Sequence, residues 1–305
     1  MKEKNILVTG GCGFIGSHIA EHLCESNHVI VVDNLSAGSL ENINGFRDKI
    51  AFLKSDLNDL PKLNLKDIEI VFHTAASVST EKSIKDPLSD AQTNILGILS
   101  VLEICRKKDI ERFVFSSSCA VYGDPKYLPV DEKHPLNPKS PYAISKKTGE
   151  EYCKIYNDLY GLKTVSLRYF NVFGPRQKAS DPYSGVIPIF LNKIKNQERL
   201  PVYGDGNQTR DFIHVQDVVR ANILASESKE AIGNAINIGT GRETSINQLL
   251  KIFRDVSEKE LSVEYKPPRK GDIRKSVADI SLARKTLKFE PLITLKEGLM
   301  GLWNK

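Results

Sequence analysis

Tyr142 and Lys146 stand four residues apart in the run Ser140-Pro141-Tyr142-Ala143-Ile144-Ser145-Lys146, and three consecutive serines, Ser116 to Ser118, lie upstream. A phenol one helical turn from an ammonium is an acid–base device. The cation favours phenolate and draws a pKa of about 10 towards the range of a general base. A serine hydroxyl beside it can donate or accept as charge moves. Ser140 is a good N-cap, and Pro141 suits the first helical position, where its missing N–H would be unpaired anyway. The run therefore predicts a helix from Tyr142, with Tyr142 and Lys146 on one face. Alone, such a pair is ordinary helix surface; the elements around it decide.

Ile6-Leu7-Val8-Thr9 is an apolar run too short for a helix and reads as a buried strand. Gly10-Gly11-Cys12-Gly13-Phe14-Ile15-Gly16 follows, and Ser17 to Cys24 has helical periodicity. Strand, glycine loop and helix form the context of a phosphate-binding turn. Gly10 allows the tight turn, Gly13 lets backbone N–H groups from Gly13 to Ile15 approach a pyrophosphate, and Gly16 lets helix and strand pack closely. His28 to Asp33 is a second strand, ending in an acid about 20 residues after the loop, as dinucleotide binding expects. Its carboxylate suits the adenosine ribose hydroxyls and would repel a 2′-phosphate. Asn34-Leu35 bring no arginine to neutralise one, so NAD is favoured over NADP.

Phe52 to Leu57 reads as the third strand, its end placing Asp56 and Leu57 for the adenine. Ile68 to Ala76 is the fourth, opening onto the small Ala75 and Ala76 where a cofactor can lie close. Asp90 to Lys108 is a long amphipathic helix carrying Asn94 and Gly97. Arg112 to Phe115 is the fifth strand and delivers Ser116 to Ser118 at its carboxyl end, the edge where open parallel sheets bind ligands. Thr164 to Asn171 is a sixth, and Ala235 to Gly239 follows a helix over Val215 to Ser226. Gly185-Val186-Ile187-Pro188 precedes a short helix; Leu200 to Gly206, containing Pro201 and Tyr203, is a strand and turn. This alternation predicts an α/β fold, a doubly wound parallel sheet of Rossmann type. The sheet would occupy residues 1–170 with a returning segment at about 210–240, and a smaller C-terminal α/β substrate-binding domain 171–305.

Of the 305 residues 40% are hydrophobic and 27% charged, ordinary for a globular protein. The net charge of +5 is spread out without a basic block, which argues against nucleic acid and suits an anionic small molecule. Five cysteines (Cys12, Cys24, Cys105, Cys119, Cys153) lack metal-ligand spacing and read as thiols in a reducing compartment. The chain enters its first strand without a signal peptide and holds no apolar run of membrane-spanning length, so a cytoplasmic protein with no membrane partner is expected.

Taken in order, Thr9 to Gly16, Asp33, Ser118, Tyr142-x-x-x-Lys146, Arg168-Tyr169-Phe170-Asn171, Arg210-Asp211 and Arg269-Lys270-Gly271-Asp272 resemble the extended short-chain dehydrogenase/reductases acting on nucleotide sugars. The resemblance covers essentially the whole chain and is greatest to UDP-hexose 4-epimerases of the UDP-glucose/UDP-galactose kind. It implies that Tyr142 takes the proton of the sugar 4-hydroxyl while the C4 hydride moves to bound NAD. Lys146 would hold the nicotinamide ribose and, with the positive nicotinamide, lower the tyrosine pKa, and Ser118 would bond the same sugar oxygen. Asn94, Ser116 and Tyr169 fall at further cofactor positions. Asn171, Arg210 and Arg269 match positions that hold the UDP pyrophosphate, Asp272 one at the uridine ribose, and Gly185, Val186, Pro201, Tyr203 and Ser276 positions lining the substrate. A homodimer built on helices 90–108 and 142–160 is also implied.

Dehydratases and decarboxylases of this superfamily need an acid or base just after the serine, where this chain has Cys119-Ala120-Val121; elimination lacks its catalyst. Epimerisation is therefore expected. UDP-glucuronate 4-epimerisation uses the same machinery and is the nearest rival, and a non-catalytic NAD-binding regulator or scaffold is the rival of another class. The small Ser276, four residues after Asp272, would leave room for an N-acetyl group, so UDP-GlcNAc/UDP-GalNAc is expected beside UDP-glucose/UDP-galactose. His73 and His214 read as structural, and Cys119 as a neighbour of the serine without chemistry of its own.

Overall fold

Strands and helices alternate through the first half of the chain, as its apolar runs require. The computed structural model describes residues 1–63, 65–178, 185–269 and 273–304. It begins with β1 (Asn5–Thr9), α1 (Phe14–Leu23), β2 (His28–Asp33), β3 (Ile50–Lys54), β4 (Ile70–His73), and the short helices α2 (Thr80–Lys85) and α3 (Pro87–Ala91). Next come α4 (Gly97–Lys107), β5 (Arg112–Ser118), α5 (Pro141–Tyr160), β6 (Thr164–Tyr169), β7 (Asn171–Phe173), α6 (Val186–Lys195) and β8 (Leu200–Tyr203). The chain continues with β9 (Thr209–Arg210), β10 (Phe212–His214), α7 (Val215–Glu227), β11 (Ala235–Ile238), β12 (Thr244–Ser245), α8 (Ile246–Ser257), β13 (Val263–Lys266), α9 (Ser281–Leu287) and α10 (Leu295–Trp303).

Seven strands pair in the order β11-β6-β5-β4-β1-β2-β3, all parallel. From β1 the chain builds one way through β2 and β3, then returns to lay β4 on β1's other side. Ligands bind at such a reversal of strand order. Side chains alternate across the sheet with period two. Ile6 and Val8 join the cluster with Ile19 of α1 and Val218 of α7, whereas Leu7 joins Leu102 of α4 and Tyr156 of α5 on the other face. A third apolar cluster draws on Phe173, Phe190, Leu249, Phe253 and Leu299. The structure thus has the doubly wound parallel sheet expected of the sequence.

Several boundaries differ from the sequence reading. The third strand ends at Lys54; Asp56 lies beyond it and caps the 3₁₀ turn Leu57–Lys62 by accepting from Asn58 N. The sixth strand ends at Tyr169, and Asn171 opens a separate strand whose partner is β10. Helix formation before α4 starts at Pro87, capped by Asp86, rather than at Asp90, and passes through a π turn at Gln92–Leu96. The fifth strand continues through all three serines.

What clamps α5 to the sheet is a buried ion pair. Arg168 on β6 binds Glu150 on α5 in a fork, Nε to Oε1 at 2.9 Å and Nη2 to Oε2 at 2.6 Å, with both side chains buried. Its Nη1 donates to the Tyr122 hydroxyl at 2.8 Å, which donates to Asn237 Oδ1 at 2.7 Å on β11. Ser117 Oγ also donates to Glu150. Removing one partner strands the other charge where water cannot reach it. Arg168→Met should therefore cost about 3–5 kcal/mol of unfolding free energy. A urea titration reads this as a lowered midpoint at unchanged slope; an unmoved midpoint would show the pair to be dispensable.

Candidate active site

Helix α5 begins as its sequence dictates: Ser140 Oγ accepts from Ala143 N at 3.2 Å and Pro141 takes the first turn. Tyr142 and Lys146 follow on one face. Beside that face runs β5, whose Ser116 carbonyl accepts from Lys146 Nζ at 2.7 Å. The ammonium is buried, 4.9 Å from the Phe115 ring centroid and 5.9 Å from that of Tyr142. Burial draws its pKa down to about 8, with Asp90 and Glu150 acting the other way. Burial also pushes the Tyr142 phenol up, to about 12, against a hydrogen bond with Ser118 that favours ionisation.

Of the groups around the phenol, Ser118 favours its ionisation through a hydrogen bond, and loss of solvent outweighs that help. The Lys146 ammonium donates to the Ser116 carbonyl.

Ser118 is half-buried at the end of β5 and its Oγ accepts from Ala120 N at 3.2 Å, which turns the chain into the 3₁₀ turn Cys119–Tyr122. Cys119 is held up at about 12 by burial, in keeping with no chemistry of its own; Arg210 is among the charges it feels. Arg210 Nη1 donates to the carbonyls of Thr209 at 2.7 Å and Ile273 at 2.6 Å. Beside it Asp211 is buried. Its Oδ1 accepts from Thr240 N and Oγ1, and its Oδ2 from Gly241 N and Ala278 N.

At the other end of the crevice Gly10 has φ +70°, and a Cβ there would lie 2.6 Å from the Ala75 backbone. A Cβ on Gly16 would lie 2.3 Å from the Gly10 carbonyl oxygen. On Gly13, by contrast, it would meet only the Gly10 oxygen at 3.1 Å, so the loop is open on that side. α1 starts there without a side-chain cap, and Phe14 and Ile15 are half-buried in its first turn. An uncapped helix N-terminus behind an open glycine is a cradle for a phosphate. Asp33 is buried; one oxygen accepts from Cys12 N at 3.0 Å, the other from Leu35 N at 2.8 Å, so it ties the loop to the end of β2. Asn34 Nδ2 donates to Asp56 Oδ2 at 3.0 Å. These residues fit a dinucleotide along the edge of the sheet.

Other positions expected at the cofactor are bonded to or packed against neighbouring protein groups. The Leu57 side chain is buried against Gly97, leaving only its backbone for a ligand. Asn94 is buried, with its amide bonded to both backbone groups of Ser77 and to Asp90. The Tyr169 hydroxyl meets Ser116 Oγ at 3.1 Å and donates to Asn222 at 3.0 Å. Asn94 thus fixes the Ser77 backbone and Tyr169 the end of β5 at Ser116, while Ala75 and Ala76 are half-buried after β4. His73 is structural as expected: buried, bonded to Thr9 Oγ1 at 2.8 Å and pushed down to about 3 by burial. His214 caps α7 by accepting from Gln216 N.

On the second lobe Asn171 is half-buried and its N–H donates to the Asp211 carbonyl at 3.0 Å. Arg269 stacks on Tyr203 with its guanidinium carbon 3.9 Å from the ring centroid, so this pair is joined to itself rather than to the Tyr142 group. Pro201 is half-buried on the same strand, Gly185 caps α6 with Val186 in its first turn, and Ser276 is buried. Asp272 lies outside the described residues. Sequence reasoning missed Glu150, Asp211, Asn222 and Asp90. For Glu150 a signal existed, since Tyr142, Lys146 and Glu150 repeat at four-residue spacing on one stripe.

Residues 6–239 match the NAD dependent epimerase/dehydratase family. A putative UDP-glucose 4-epimerase of Methanocaldococcus jannaschii is 47% identical over 98% of this chain and 97% of its own length. The solved UDP-N-acetylglucosamine 4-epimerase from Methanobrevibacter ruminantium, in complex with UDP-N-acetylmuramic acid, is 44% identical with a TM-score of 0.95, covering 100% of this chain and 99% of that one. UDP-glucose 4-epimerase from Thermotoga maritima with UDP-glucose is 43% identical with a TM-score of 0.91 over 97% and 96%. With its glycine cradle, its acid at the end of β2 and its serine–tyrosine–lysine group on β5 and α5, the chain belongs to the NAD dependent epimerase/dehydratase family.

Proposed function

We propose that the chain is an NAD-dependent 4-epimerase of a UDP-sugar. The observation that carries this reading is the group of Ser118, Tyr142 and Lys146 at the carboxyl end of β5, followed by Cys119 and Ala120 where an elimination would need a carboxylate. Bound NAD supplies the oxidant, accepting the hydride of sugar C4 and returning it to the other face of the ring, so that no net oxidation occurs. Gly10 to Gly16, Asp33, Asn34, Asp56, the Leu57 backbone, Ala75 and Ala76 would hold the dinucleotide, with Lys146 at the nicotinamide ribose. Tyr142 takes the proton of the 4-hydroxyl and gives it back, and Ser118 donates to or accepts from the same oxygen as its charge changes. A cation held beside the half-buried phenol would favour its ionisation, and the oxidised nicotinamide would supply one.

The dinucleotide is assigned to residues 1–170 with the returning segment at about 210–240, and the nucleotide sugar to 171–305. Arg210 and Arg269 suit the pyrophosphate because guanidiniums are permanently charged and can bind oxygens in a fork. Asn171, Gly185, Val186, Pro201, Tyr203, Asp272 and Ser276 complete the substrate side. A cytoplasmic location is part of the reading, supported by five free thiols. So is a homodimer: Ile84, Leu88, Leu96, Ile155 and Leu159, on α2, α3, the π turn and α5, are exposed apolar residues.

Purified protein should convert UDP-galactose to UDP-glucose, and Tyr142→Phe should abolish conversion while NAD stays bound. A C4-deuterated substrate should invert with its label kept; label lost to water would refute the hydride route. Across UDP-hexoses, UDP-hexosamines and UDP-glucuronate, we expect the N-acetyl sugars to be accepted. Ser276→Tyr should then remove the N-acetyl activity and spare the hexose activity, whereas equal loss of both would reject a pocket-wall role. Sedimentation should find two chains per particle, and Leu88→Asp with Leu159→Asp should give one.

A further inference from the structure

Asp90 lies at the end of α3 and is 2% exposed. Two neutral groups donate to its carboxylate: Ser145 Oγ on α5 at 2.5 Å and Asn94 Nδ2 at 2.8 Å. Ser145 immediately precedes Lys146. Asn94 in turn accepts from Ser77 N at 2.8 Å and donates to the Ser77 carbonyl at 2.9 Å, fixing the backbone next to Ala75 and Ala76. The helix carrying Asn94 opens into the π turn Gln92–Leu96 at this point, a distortion that recurs at functional sites. One buried carboxylate thus joins the catalytic helix to the wall of the cofactor crevice.

We propose that Asp90 is a positioning residue of the reaction: by accepting from Ser145 on α5 and from Asn94 in the π turn it holds the helix that carries Lys146 against the backbone beside Ala75 and Ala76, and it sets a carboxylate among the groups around Lys146 and Tyr142. The proposal rests on the epimerase reading above. Around Lys146 stand Tyr142, Glu150 and Cys153 from α5, His73 from β4 and Asp90 from α3. Around Tyr142 stand Ser118, Cys119 and Asp90. His73 is held neutral, and burial keeps the thiols of Cys119 and Cys153 protonated. Among the groups named, Asp90 and Glu150 carry the negative charge, and Glu150 is already engaged by Arg168. The Asp90 charge raises the pKa of both Lys146 and Tyr142.

The sign of the test follows. Asp90→Asn keeps the shape and the bond from Asn94 and reverses the one with Ser145, whose hydroxyl can accept as well as donate; it removes the charge, so both groups should lose their protons at lower pH. Both limbs of the kcat–pH profile should move towards acid by about one unit. Ser145→Ala removes a bond and leaves the charge, so it should slow turnover without moving the limbs. A second readout needs no turnover: the phenolate absorbance of each protein, less that of its Tyr142→Phe counterpart, should rise at lower pH in Asp90→Asn than in the wild type. Coincident limbs and coincident phenolate titrations would overturn the proposal. Should Asp90→Asn fail to fold, Asp90→Glu against Asp90→Gln makes the same comparison at equal length, and only the Gln variant should be shifted. A wild type that converts no UDP-sugar would refute the epimerase reading, and the phenolate titration would then judge Asp90 by itself.

Discussion

A buried ammonium organises this active site. Taking Lys146 out of water costs several kcal/mol unless opposite charge and hydrogen-bond acceptors surround it. The fold provides the Ser116 carbonyl directly and the carboxylates of Asp90 and Glu150 around it. Glu150 is itself compensated by Arg168. Charges therefore alternate in sign through the protein, guanidinium, carboxylate, ammonium, carboxylate, from β6 across α5 to α3. Each needs its neighbour, which is why the sheet, the catalytic helix and the π turn hold one another in register.

The same burial governs the phenol. In the protein alone Tyr142 is a poor base, because removal from solvent outweighs the help of Ser118. Under the proposed reading, a cation bound beside the phenol would oppose this effect of burial, so ionisation of Tyr142 would be favoured when the oxidised cofactor is in place.

Much of this was legible in the residues. The glycine loop, Asp33, Ser118, Tyr142 and Lys146 are read from local rules, since strand–turn–helix order and four-residue spacing fix where such side chains lie. Boundaries were less legible: β6 reads as continuous with Asn171, yet the chain breaks at Phe170 because Asn171 finds another partner in β10. The π turn had no signature, as Gln92 to Leu96 would suit an α-helix. Residues whose value depends on tertiary partners were hidden for the same reason. Asp90 and Asp211 look like surface acids until the fold buries them among donors from distant segments. How strongly burial opposes ionisation of Tyr142 was hidden as well, because spacing along a helix says nothing about how much water the surrounding fold excludes.

Gly10 and Ala75 touch across the point where the strand order reverses, backbone against the space a Cβ would fill. The two halves of the sheet, built from separate stretches of chain and joined by the β1–β4 ladder, therefore meet with no slack where that ladder ends. A side chain gained on the first loop cannot be accommodated unless the second retreats, which would widen the slot for the dinucleotide. Glycine at position 10 is thus demanded twice, by its left-handed φ and by the backbone opposite, and no exchange of the side chain at position 75 could relieve it.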